Sequence, residues 1–254
     1  MPLSGSGETP AAQPLPVSFP PPVEAPSGSR RRRMPGRRSA PVSPPPDDHR
    51  DDPPPPPDAT GTERQLVFFG AETGEPSVAD LAGLLAGPGE VHRMGGTARL
   101  SVRVAAAWRV HVLIGELAQR GVRSTWAPTE DDGYLVRTAY TRSLVPLAAA
   151  WLRGPTQQPP PGFQLDGRRL RLWLAAAGVA DPPDFLLQLG GSDPQRWAVV
   201  GAALAAAGLT GELTEAGPGG PAYRIAGRRW TRRLAELVGE RPPTSPPTAW
   251  PSRI

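Results

Sequence analysis

Residues 80–104 read DLAGLLAGPGEVHRMGGTARLSVRV, and the order of their parts decides how the rest is read. Leu81, Leu84 and Leu85 share one helical face, Ser77 and Asp80 ahead of them have capping-box spacing, and Gly87-Pro88 must end the helix. Two strand-like runs follow, 90–94 and 98–104, joined through Gly95-Gly96, a hairpin signal. In the second, Leu100, Val102 and Val104 alternate with Arg99, Ser101 and Arg103, giving one apolar and one cationic face. A Leu/Ala/Gly helix is commonplace in so Ala-rich a chain. Its surroundings carry the information.

Working outward, a helix is expected over 105–120, with Val110, Leu113, Ile114 and Leu117 at helical spacing and Gly121 as its stop. Strands at 123–127 and 134–140 flank the acidic turn EDDG, and a helix over 141–152, kinked at Pro146, closes the unit. After a Pro-rich linker (155–165) the order recurs. A helix runs from 166 to 177 and stops at Gly178; one clear strand follows at 185–189. Ser192-Asp193-Pro194 then starts a helix ending at Gly208, two strands straddle AGPGGP, and RRWTRRLAELVGE forms the last helix. The halves align without strain. Leu117 matches Leu204, Leu113 matches Val200, Val110 matches Trp197, and Tyr134 and Val136 match Tyr223 and Ile225. The chain is therefore α+β, two pseudo-symmetric αββαββα repeats over 63–154 and 166–241, offset by about 88 residues.

The flanks differ in kind. Half of the 36 prolines lie in residues 1–62, where no helical or strand period exists, so that segment reads as a disordered Pro/Arg-rich tail. Its arginines at 30–33, 37 and 38 precede Asp47, Asp48, Asp51 and Asp52, a self-attracting charge pattern that also suits a nonspecific phosphate-contacting arm or a protein partner. A second disordered tail is expected at 242–254. All 28 basic residues are arginine and the net charge is +4. Without cysteine there is no disulfide or thiolate metal site. With no signal-like start and no apolar run near the ~20 residues of a membrane span, a cytoplasmic protein off the membrane is expected.

The repeat order, with LAGLLAGPG in its first helix, resembles the LAGLIDADG homing endonucleases, and more closely the N-terminal domain of WhiA, a DNA-binding regulator. In the second half WLAAAGVADPPDFLLQL (173–189) resembles the WhiA pattern of a helix end, Gly, a small residue and Pro before a strand. The resemblance covers about 75–241. It implies that active members carry a Mg²⁺-binding acid near the end of each motif helix, as a hard cation and phosphate hydrolysis require. Those positions are here Pro88 and Ala177, which cannot ligate; Glu90 and Asp181 are the nearby carboxylates. The small residues survive: Ala82, Gly83 and Ala86 in one helix, and Ala175 to Ala177 in the other, suit a close helix seam. No metal, cofactor or catalytic residue is therefore expected. His92 and His111 lack ligand spacing, and no P-loop or Ser-centred elbow is present.

The function implied is a non-enzymatic, duplex-DNA-binding transcription regulator, by analogy with WhiA in sporulation or cell division. The strands opposite the helices would form the groove. Its repeat 1 set is Arg99, Ser101 and Arg103, with Arg93 or His92 and Arg123 or Arg137 according to register. Repeat 2 offers Arg224, with Gln188 and Thr214, beside Glu212 and Glu215. The uneven charge leaves a second reading, a protein-interaction module on a decayed endonuclease scaffold with its partner engaged through the Pro-rich tail.

Overall fold

The computed structural model describes residues 74–191, 193–214 and 220–252. The tail expected over 1–62 lies outside the described residues.

Ser77 caps as expected: its Oγ accepts from the Ala79 N–H, and Asp80 Oδ2 accepts from the Ser77 N–H at 2.8 Å. A 3₁₀ turn, Val78–Leu81, runs into α1 (Ala82–Ala86), and Gly87-Pro88 ends the helix. The antiparallel hairpin β1 (Gly89–Met94) and β2 (Thr97–Val104) follows, turning where Gly95 takes φ +58°. Next come α2 (Ala107–Gln119), β3 (Ser124–Pro128) and β4 (Tyr134–Thr138). A 3₁₀ turn over Arg142–Leu144 leads into α3 (Val145–Trp151). Pro146 does not kink this helix. It sits in the first turn, where its missing N–H has no intrahelical partner to lose.

The linker is shorter than expected, because Leu152–Arg153 (β5) and Thr156–Gln157 (β6) pair as a small hairpin. The Gln157 amide then mimics a strand, accepting from Val91 N–H at 2.9 Å and donating to Gly89 O at 2.8 Å. Asp166 caps α4 (Gly167–Ala177), and β7 (Gly178–Asp181), β8 (Asp184–Gln188), α5 (Pro194–Ala206), β9 (Gly211–Thr214), β10 (Ala222–Ile225) and α6 (Arg228–Val238) complete the second repeat. Strand β7 has no counterpart in the sequence reading: four residues, GVAD, ending at two prolines, carry too little pattern.

Each repeat builds one four-stranded antiparallel sheet of the same order, β1-β2-β4-β3 and β7-β8-β10-β9. Leu100, Val102, Val104 and Val136 in one sheet, and Phe185, Leu187, Tyr223 and Ile225 in the other, are buried on the helix side. The aligned helix residues Val110, Leu113 and Leu117 and their counterparts Trp197, Val200 and Leu204 are buried too. Between the repeats α1 lies against α4. A Cβ on Gly83 would sit 1.9 Å from the Arg169 carbonyl oxygen, and one on Gly87 2.3 Å from the Trp173 ring. The expected seam of small residues is therefore a close backbone approach.

The end at 242–252 is not the disordered tail expected. Trp250 is 5% exposed, its indole N–H donates to Gly239 O at 3.3 Å, and the Arg171 guanidinium lies 5.3 Å from its ring centre. Ser245 is buried and donates to Pro242 O at 2.9 Å. One aromatic side chain suffices to dock a Pro-rich segment, because proline has little ordering entropy left to lose.

Candidate nucleic-acid interface

Strand alternation sorts the first sheet's side chains onto two faces, and cross-strand register places them in rows. On the face away from the helices, Glu90, Ser101, Arg137 and Thr125 form one row across β1, β2, β4 and β3. His92 lies opposite Arg99, and Arg103 lies opposite Leu135 and then Ala127. Arg123, two residues before Thr125, projects the same way. Arg123 and Arg137 are exposed. The structure thus brings Arg99, Arg103, Arg123 and Arg137 onto one surface.

Their environments differ. Arg103 is mostly exposed and holds Asp131 at 3.0 Å, reaching out of the strand towards the β3–β4 turn. The Asp131 carboxyl is held below the usual carboxylate range, first by the Thr129 side chain, then by backbone and Arg103 contacts. Arg99 lies with its guanidinium 4.8 Å from the Tyr140 ring centre, which fixes a long side chain on the sheet. Ser101 was expected as an exposed contact but is buried, 7% exposed. Its short side chain is recessed between Arg99 and Arg103 along the strand and Glu90 and Arg137 across it. It floors the surface.

Arg93 is on the other side. Its register partner is Ala98, which is buried among the helices, so parity puts Arg93 on the helix face of β1 and leaves His92 on the outer face. Arg93 borders a cleft of about 780 Å³ with Val91, Leu152, Gln157 and Arg196, which reaches Glu90 and His92 as well at the edge strand β1.

Repeat 2 presents a different surface. Arg224 is held by Asp181 at 2.8 Å and by Asp184 at 3.0 Å, and Glu212 is its neighbour on β9. The Gly227 N–H donates to Asp184 at 2.8 Å and, ahead of Arg224, keeps that carboxyl below its ordinary range. Asp184, in turn, heads the causes that raise the Arg224 guanidinium. The expected contact residue is neutralised in place. Thr214 Oγ1 donates to Ala222 O at 3.0 Å, a link within its own sheet.

Two functional-looking residues escaped the sequence reading. Arg109 on α2 and Arg196 on α5 occupy the same repeat position, one residue before the matched pair Val110 and Trp197, and both are buried. Each crosses to the seam helix of the other repeat. Arg109 donates to Ala175 O at 2.9 Å, Leu174 O at 3.1 Å and Gly178 O. Arg196 donates to Gly87 O at 2.8 Å and to Leu85 O. Burial lowers the Arg196 guanidinium and pushes Arg109 down to about 10, which leaves Arg109 cationic at neutral pH. A guanidinium is the right group here: its fork of donors satisfies several terminal carbonyls at once, and its charge opposes the negative end of the helix dipole. The signal was in the repeat alignment itself, as an arginine at one position in both halves.

These crossed arginines sit where the two motif helices end, beside Pro88 and Ala177. Among the described residues no group of three or more His, Asp or Glu side chains is placed to hold a metal. No family model matches the chain, and no curated protein matches it. Solved structures do. Full-length WhiA from Thermatoga maritima aligns with a TM-score of 0.50 at 11% identity, over 71% of this chain and 62% of that one. This chain shares the fold of that protein. The N-terminal LAGLIDADG domain of WhiA aligns with a TM-score of 0.46 at 10% identity, over 70% of this chain and 90% of that domain. The homing endonuclease I-WcaI, bound to its DNA recognition sequence, gives 0.49 at 11%, over 68% and 86%. The chain thus spans under two thirds of full-length WhiA. No helix among its described residues is long and apolar enough to cross a membrane.

Proposed function

We propose that this protein binds duplex DNA without cutting it and acts as a cytoplasmic transcription regulator. The observation that carries the reading is the placement of Arg99, Arg103, Arg123 and Arg137 on one helix-free sheet face. Four guanidiniums at strand spacing suit phosphate oxygens and guanine edges along a duplex. A binding rather than cutting role is supported by Pro88 and Ala177, which offer no metal ligand where the motif helices end. The fold likeness to WhiA agrees with this reading. Process, including sporulation or cell division, enters by analogy alone.

The test is anisotropy of a labelled random-sequence duplex of about 20 base pairs across a salt series. Changing Arg99 and Arg103 to Ala should weaken binding clearly and lower the salt slope by about two. Affinity equal to that of the unaltered protein would remove the reading. The second reading, a protein-interaction module, draws on the carboxylates around Arg224, which face away from the helices and repel phosphate. It predicts no duplex binding at about 100 mM salt, where a multi-arginine phosphate surface still holds DNA.

A further inference from the structure

We infer that the two repeats have divided their roles, so that one chain holds a duplex through the repeat 1 sheet alone, over about one helical turn, while the matching face of repeat 2 is closed to phosphate by its own carboxylates. The inference rests on the nucleic-acid reading above and specifies which half performs it.

The chain contains its own control. The inward-facing pair Val104–Tyr134 in the first sheet matches Leu187–Tyr223 in the second. Stepping along the strands from these pairs puts Leu186 where repeat 1 has Arg103, Asp184 where it has Ser101, and Ala226 where it has Arg137. Across β4 and β3 the neighbours are Leu135 and Ala127; across β10 and β9 they are Arg224 and Glu212. One scaffold thus carries two electrostatic surfaces. The first has Arg99, Arg103, Arg123 and Arg137 against Glu90, Glu130 and Asp131, of which Asp131 holds Arg103 from the exposed β3–β4 turn. The second has Arg224 against Asp181, Asp184 and Glu212.

Arg224 is not a reserve contact. A phosphate reaching it must displace Asp181 at 2.8 Å and Asp184 at 3.0 Å, and Asp184 is anchored independently by the Gly227 N–H. The displaced carboxylates would then face the phosphate at close range, and like charges that close cost more than one new ion pair returns. The geometry of repeat 1 fixes the reach. The eight residues of β2 extend about 27 Å at ~3.4 Å each. That length matches about eight base-pair steps at ~3.4 Å per step. A single chain therefore occupies roughly one turn of duplex.

The experiment measures saturation density of the full chain on a long random-sequence duplex, with affinity and salt slope, for the unaltered protein and three variants. One chain per roughly ten base pairs is expected at saturation, given the strand length. Arg103→Ala with Arg137→Ala should lower affinity about tenfold or more and the salt slope by about two. Arg224→Ala should change neither. Asp181→Asn with Asp184→Asn should raise affinity several-fold and steepen the slope by about one, because Arg224 becomes available. Asn at 184 still accepts the Gly227 N–H. Glu212→Gln, which touches neither that N–H nor the turn, removes one repelling carboxylate beside Arg224 and should raise affinity to a smaller extent, which keeps the division testable if the double variant does not fold. Saturation at one chain per roughly twenty base pairs, with Arg224→Ala as damaging as the repeat 1 change, would overturn the division while leaving DNA binding intact. Absence of duplex binding by the unaltered protein would instead overturn the nucleic-acid reading on which the division rests.

Discussion

The most demanding residues are Arg109 and Arg196, two buried cations that meet carbonyl oxygens rather than carboxylates. Arg109 serves three carbonyls, Leu174, Ala175 and Gly178, all at the end of α4. Removing the guanidinium takes the charged donor from these buried acceptors, although Leu174 O keeps the Gly178 N–H as a partner. Arg109→Met, which keeps the volume, should therefore cost about 3 kcal/mol in chemical denaturation, since charge-assisted bonds contribute about 1.5–3 kcal/mol each and orphaned buried acceptors add to the loss. A cost below about 1 kcal/mol would mean that water replaces the arginine. Residue-level chemistry was only partly legible in the sequence. Alternation named Arg99 and Arg103 correctly as outer-face residues, but it could not fix which β1 residue joins them, because a one-residue slip exchanges His92 and Arg93. Nor could composition reveal that Arg224 is held by Asp181 and Asp184, since that contact depends on where two strands and a turn meet.

Elements were legible wherever a stop signal was unambiguous. Gly87-Pro88, Gly95-Gly96, Gly121 and Asp193-Pro194 bound their elements as read, since each acts through local backbone geometry. Strand β7 and the β5–β6 hairpin were not, because two- to four-residue strands are specified by their pairing partners. The seam helix α1 is the element where local and tertiary demands conflict. Glycine within a helix ordinarily costs about 0.5–1 kcal/mol relative to alanine. A Cβ added to Gly115 in α2 would meet nothing within 4 Å, so Gly115→Ala should stabilise by roughly that amount. Gly83→Ala should do the opposite. Its Cβ would meet the Arg169 carbonyl at 1.9 Å, backbone against backbone, and overpacking of that kind costs about 1–3 kcal/mol or more. Thermal melts of the two variants should move in opposite directions; a stabilised Gly83→Ala would show that α1 and α4 stand farther apart.

At the scale of the whole molecule, the two repeats are tied by more than their seam. Asp80 and Arg120 meet at 3.2 Å, Arg120 and Glu116 at 2.7 Å, and Glu116 and Arg171 at 2.8 Å, so a largely buried ionic chain runs from repeat 1 into α4. Arg171 then donates to Val238 O at 3.0 Å and Glu240 O at 2.6 Å and faces the Trp250 ring. The C-terminal segment thus closes over the last link of this chain. Deleting residues 242–254 uncovers Arg171 and removes the Trp250 contact. Loss of a buried tryptophan side chain alone costs about 3–5 kcal/mol. With about 2–4 °C per kcal/mol for a domain of this size, the melting temperature should fall by roughly 10 °C. Trp250→Ala in the full chain should reproduce most of that fall, which separates the indole's packing from the length of the segment. Because the ionic chain links both halves, the transition should remain single, with fluorescence and circular dichroism melting together. Two separated transitions, or a truncated chain as stable as the whole, would show that the segment rests on repeat 2 without bracing the link between the halves.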